Sequence, residues 1–125
     1  MGVISIMSEN LDFSPCRLVE LKEYSRSVAL IFQDQPIYLD DGSVKRLSCQ
    51  LVLNEAKLLE SDLFVPLEAE NLTIKYDSGE RSCFFPLMFS ETGPVEVLLE
   101  IDSKQTLIAS GKEINLEILK TSKSI

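Results

Sequence analysis

At 125 residues the chain is long enough for one domain with its own apolar core, without metal or disulfide staples. Its 45% hydrophobic and 26% charged residues exclude the disordered class. The formal net charge of −8, from 20 acids against 12 bases, repels phosphate backbones, and no basic stripe offsets it.

Residues 1–14 open with "MGVISIMSEN", which lacks the basic start of a signal peptide and carries Ile6 where a myristoylation motif needs Ser or Thr. We expect residues 1–14 and 121–125 to be loosely ordered. Cys16 follows, and its place beside Arg17 suggests an exposed thiol. "RLVELKE" at 17–23 and "SVALIFQ" at 27–33 read as two strands joined by the "SRS" turn, the second apolar on both faces and therefore central. A short strand "IYL" at 37–39 precedes the turn "DDGS" at 40–43. In "VKRLSCQLVL" at 44–53, Leu47, Cys49, Leu51 and Leu53 share one face against Arg46, Ser48 and Gln50.

"NEAKLLESD" at 54–62 favours helix by propensity but has no turn residue before it, so it reads as a strand running into a loop or one helical turn. "LFVPLEAE" resumes as an edge strand, because Pro66 has no backbone donor. Leu72, Ile74 and Tyr76 alternate with Thr73 and Lys75, and "DSGE" at 77–80 turns the chain.

"ERSCFFPLMFSE", Glu80 to Glu91, is the most apolar dozen. Read as one strand, it places Cys83, Phe85, Leu87 and Phe89 inward and Ser82, Phe84, Pro86 and Met88 outward. Two large apolar groups on the outer face suit burial between layers, a partner interface or a ligand cavity, and Pro86 suits an edge or bulge. Turns are then expected at "ETGP" 91–94, "DSK" 102–104 and "SGK" 110–112. They separate "PVEVLLEI" at 94–101 from "EINLEILK" at 113–120, both of which alternate with period two.

The chain has no histidine, which removes the commonest general base, metal ligand and nucleophile partner. Cys16, Cys49 and Cys83 form no paired spacing, so neither a zinc site nor a disulfide framework is indicated, and reduced thiols point to the cytoplasm. Glu68 and Glu70 fall on one strand face, about 7 Å apart by strand geometry, and Asp40 and Asp41 sit in a turn. These carboxylates read as solvated charges before they read as an acid–base pair or calcium ligands. No phosphate-binding or nucleophile-elbow motif is present, and no run is long enough to span a bilayer as a helix.

These features predict an all-β antiparallel sandwich of about nine strands, with a small up-and-down barrel as the alternative. The expected function is a non-enzymatic interaction module, an acidic partner-binding or inhibitor-type protein, without catalytic residues, cofactor or metal. It would bind a protein partner or a second copy, and neither nucleic acid nor membrane. Its candidate surface comprises Phe84, Met88, Glu60, Asp62, Glu68 and Glu70. The alternative is a barrel holding an apolar small molecule against Phe84 and Met88.

Overall fold

A computed structural model of the chain describes residues 10–59 and 63–119. These residues form eleven strands and no helix: β1 (Asn10–Asp12), β2 (Cys16–Glu23), β3 (Ser27–Tyr38), β4 (Val44–Asn54), β5 (Lys57–Leu58), β6 (Leu67–Ala69), β7 (Asn71–Tyr76), β8 (Gly79–Ser82), β9 (Phe84–Pro86), β10 (Ser90–Ile101) and β11 (Lys104–Ile118). All pairings are antiparallel, and the main path runs β6-β2-β3-β4-β11-β10-β7-β8. β1 pairs with β3 and β9, and β5 pairs with β11. The path is open at β6 and β8, so the expected all-β sandwich-like architecture holds and the closed barrel does not. Among the described residues no helix is long and apolar enough to cross a membrane.

Period-two alternation places the core. Val28, Leu30 and Phe32 of β3, Cys49, Leu51 and Leu53 of β4, Leu72 and Ile74 of β7, and Val95, Val97 and Leu99 of β10 are all buried. A chain of edge-to-face rings runs through them: Phe32–Phe13 at 5.2 Å, Phe13–Phe85 at 5.5 Å and Phe85–Phe89 at 5.2 Å between centroids. Aromatic quadrupoles favour this T-shaped geometry, so the rings lock together strands that are distant in sequence.

The strand count differs from about nine for identifiable reasons. "ETGP" is no hairpin: β10 runs through it with a register shift between Thr92 and Val95, and Gly93 (φ +96°) supplies the left-handed conformation there. "SGK" also lies inside β11. Gly111 is there for space: a Cβ would stand 2.8 Å from the Ala56 Cβ and 2.9 Å from the Asn54 carbonyl oxygen. The turn at "DSK" is real, with Asp102 (φ +52°) and Ser103 (φ +67°) both left-handed between paired Ile101 and Lys104. Two positive-φ residues match the twist of a two-residue hairpin. Residues 57–58, inside the segment read as loop or helical turn, instead add β5 to β11.

Two further expectations are corrected. Of the ends expected to be loose, residues 1–9 and 121–125 lie outside the described residues, and residues 10–14 are not loose: β1 pairs with β3 and β9, and Leu11 and Phe13 are fully buried. Nor is Glu80–Ser90 a single strand. Cys83 (φ +72°) breaks it, β8 stays on β7, and β9 turns away to pair with β1. A non-glycine residue with positive φ is uncommon and ends the extended run. Phe85 and Phe89 are nevertheless buried, as the alternation required.

Candidate functional site

The most distinctive local geometry lies where β1 and β2 meet β3. β2 follows β3 only as far as Leu18 opposite Phe32, and β1 takes up the same edge with Leu11 opposite Ile37. Between these pairs the chain detours through Phe13, Ser14 and Pro15, leaving the β3 edge without a strand partner. β3 itself carries one extra residue here, since its register with β4 jumps from Phe32–Cys49 to Gln35–Leu47. Asp34, in the left-handed region at φ +59°, absorbs the bulge. The inserted residue flips the parity of the strand. Val28, Leu30 and Phe32 face the core before it; Gln35 and Ile37 do so after it.

Gln35 is therefore only 2% exposed, and its amide takes the place of the missing strand. Its Nε2 donates to the carbonyl oxygens of Asp12 (2.7 Å) and Pro15 (3.2 Å), and its Oε1 accepts from the Arg17 N–H (2.9 Å). Buried amides are stable only when satisfied, and this one is. Around it opens a groove of about 340 Å³, whose walls include Asp12, Arg17, Asp34, Tyr38, Arg46 and Glu68. Asp12 accepts from the Ser14 N–H (2.9 Å) and the Tyr38 hydroxyl (3.1 Å). That hydrogen bond, then the charge of Asp12, raises the Tyr38 pKa above its ordinary 10.0. Arg46 Nη1 donates to the Asp34 carbonyl at 3.1 Å, and Arg17 faces Glu68 at 3.6 Å.

The candidate surface residues do not gather at one place in this groove. Glu68 stands on its wall, exposed and opposed to Arg17. Glu70, expected on the same strand face, instead lies one residue beyond the end of β6, exposed after buried Ala69, and accepts the Ser103 N–H at 3.1 Å. Glu60 and Asp62 lie outside the described residues. Phe84, on β9, is 46% exposed, and Met88, in the turn closed by the Phe89 N–H to the Pro86 carbonyl (3.1 Å), is 87% exposed. Both side chains thus point to solvent, as the alternation predicted. Phe64 is equally bare at 88%, and no sequence signal singled it out.

The thiols differ from expectation. Cys16 is buried, not exposed, because β2 begins there against Ala69 of β6. Burial, then the charge of Asp12, pushes its pKa up to about 12; burial, then Cys16, does the same for Cys49, also to about 12. Native protein treated with iodoacetamide near pH 8 should therefore react first at half-buried Cys83, and Cys16 and Cys49 should react only after unfolding, as read by intact mass. The same shifts fix a pH dependence. The folded state keeps protons that the unfolded chain releases above its ordinary thiol value of 9.0, so stability is intact below about pH 9 and falls as pH rises toward 12. Among the described residues no three His, Cys, Asp or Glu side chains come together as a metal cage.

Sequence reasoning missed the groove because Gln35, in "FQDQPIY", looks like any polar strand residue, and only the bulge turns it inward. No protein-family model, curated protein sequence or solved structure matches this chain.

Proposed function

We propose that the protein is a non-enzymatic, cytosolic binding module that engages a protein partner through Phe84 and Met88. The observation that carries this reading is their exposure, 46% and 87%, on a segment whose intervening and following residues, Phe85 and Phe89, are anchored in the core. Rigidly based apolar side chains lose little conformational freedom on docking, and methionine adapts to irregular contact surfaces. Glu80 and Glu91 bracket the segment, and with a net charge of −8 they favour a partner with a basic rim. A non-catalytic role is supported by the lack of histidine and by thiols held protonated, which leaves no activated nucleophile among Cys16 and Cys49. Three unpaired cysteines support a reducing compartment.

A photo-reactive residue placed at Met88 should cross-link to one protein species in native cell extract. The same probe at exposed Lys45, on β4, should not, and Phe84→Asp should abolish the Met88 adduct. Equal labelling from both positions, or an adduct indifferent to Phe84→Asp, would refute the reading. An adduct of twice the chain mass would identify the partner as a second copy.

A further inference from the structure

We propose that the groove over the β1–β2 break is a binding site for a small zwitterion of the amino-acid type, its carboxylate held by Arg46 and Arg17 and its ammonium by Asp34. The groove meets the Phe84–Met88 segment at Asp12, the register partner of Phe84, but the proposal does not rest on a docking role for that segment. The groove's volume of about 340 Å³ falls at the small end of ligand pockets, which span about 300–1,000 Å³.

The charge inventory selects the ligand class. Three acids and two arginines line the groove, but they are not equally committed. Both oxygens of Asp12 are engaged internally, one by the Ser14 N–H and one by the Tyr38 hydroxyl. Glu68 is 75% exposed and holds Arg17 at 3.6 Å, a separation at which exposed pairs are weak and readily exchanged. Arg46 spends one N–H on the Asp34 carbonyl, which fixes the guanidinium beside the bulge while leaving the rest of its five-donor fork to a ligand. The Asp34 carboxylate accepts no hydrogen bond from another described residue, although its backbone is held in the left-handed region. Strained backbone at a bulge is a recurrent device for aiming a side chain at a ligand.

A phosphate or dicarboxylate would meet Asp34 and Glu68 in the same hollow and be repelled, and a simple cation would meet two guanidiniums. A ligand carrying one charge of each sign satisfies both ends. The rings of Pro15 and Pro36, also on the groove wall, offer an apolar surface to its side chain.

The test is a titration of isotope-labelled full-length protein with the free L-amino acids at millimolar concentration, followed by amide chemical shifts. At least one amino acid should give saturable shifts confined to residues 12–17, 33–38 and 46. Arg46→Gln should weaken that binding by about tenfold, the cost of one charge-assisted pair. Asp34→Asn, which keeps a residue tolerant of positive φ, should weaken it while leaving the free-protein spectrum intact. The N-acetyl derivative, which keeps the carboxylate and loses the ammonium, should bind more weakly than the parent. The proposal fails if no amino acid shifts these amides, if the N-acetyl form binds as well as the parent, or if folded Arg46→Gln binds unchanged.

Discussion

Replacing Gln35 with leucine should lower stability by about 3–5 kcal/mol, although the substitution is nearly isosteric and more apolar at a buried position. The cost comes from the groups that Gln35 leaves behind. Its amide serves the carbonyls of Asp12 and Pro15 and the N–H of Arg17. Leucine answers none of them, and each buried or partly buried polar group left without a partner costs about 1–3 kcal/mol. The loss would be a large fraction of the roughly 5–15 kcal/mol that holds a domain of this kind together, and the melting temperature should fall by more than about 10 °C. Gln35→Glu gives the sharper reading. One carboxylate oxygen can still accept from Arg17, but the other would face two carbonyl oxygens, so the folded state favours the protonated acid. The pKa of residue 35 in that variant is then raised on folding. Its penalty should be smallest below the ordinary glutamate range near about pH 4 and grow as pH rises above it. Denaturant unfolding of both variants across pH checks this. A Gln35→Leu protein as stable as the parent would mean that the amide is not what closes the gap between β1 and β2.

What could be read from residues alone divides along a physical line. Alternation made the faces of β4, β7, β10 and β11 legible, because a period of two needs only neighbouring residues to be informative. The hairpin at Asp102–Ser103 and the turn at "DDGS" were legible because local chemistry sets them. Three features were not legible, and each depends on distant partners. "ETGP" and "SGK" carry turn residues, yet Gly93 serves a bulge and Gly111 serves the close approach of Ala56. Glycine's permissiveness does not declare which of its uses applies. Cys83 has no sequence mark for its left-handed backbone, which falls where the chain passes from β8, paired with β7, to β9, paired with β1. The groove failed to show for the same reason: a one-residue insertion in β3 reverses which polar residue faces inward, and periodicity reports such a slip only when the flanking pairs are known. Phe84 and Met88 were legible as outward-facing. What would cover them was not, because exposure describes one side of a contact.

Phe13→Ala is the second large effect, expected to cost about 3–5 kcal/mol, the range for removing a fully buried aromatic ring. Composition gives little reason to anticipate it, since residues 1–14 read as a loose end. The structure puts Phe13 at the centre of the aromatic chain, with Phe32 on one side and Phe85 on the other, both edge-to-face. Its N–H donates to the Cys83 carbonyl at 2.7 Å, so the residue that breaks the β8–β9 strand is held by the residue that fills the core beneath it. Removing the ring opens a cavity bounded by β3 and β9 and loosens the ladder that β9 makes with β1, its one strand partner among the described residues. Two controls separate packing from composition. Phe64→Ala removes the same ring from a site that is 88% exposed and should change stability by less than about 0.5 kcal/mol. The double variant of Phe13 and Phe85 should lose less than the sum of the singles by about 0.5–1.5 kcal/mol, the coupling typical of an aromatic pair. A Phe13→Ala protein within about 1 kcal/mol of the parent would show that β1 is a superficial addition, and the Phe84–Met88 segment, which hangs from β9, would then lack the rigid base on which its proposed docking role rests.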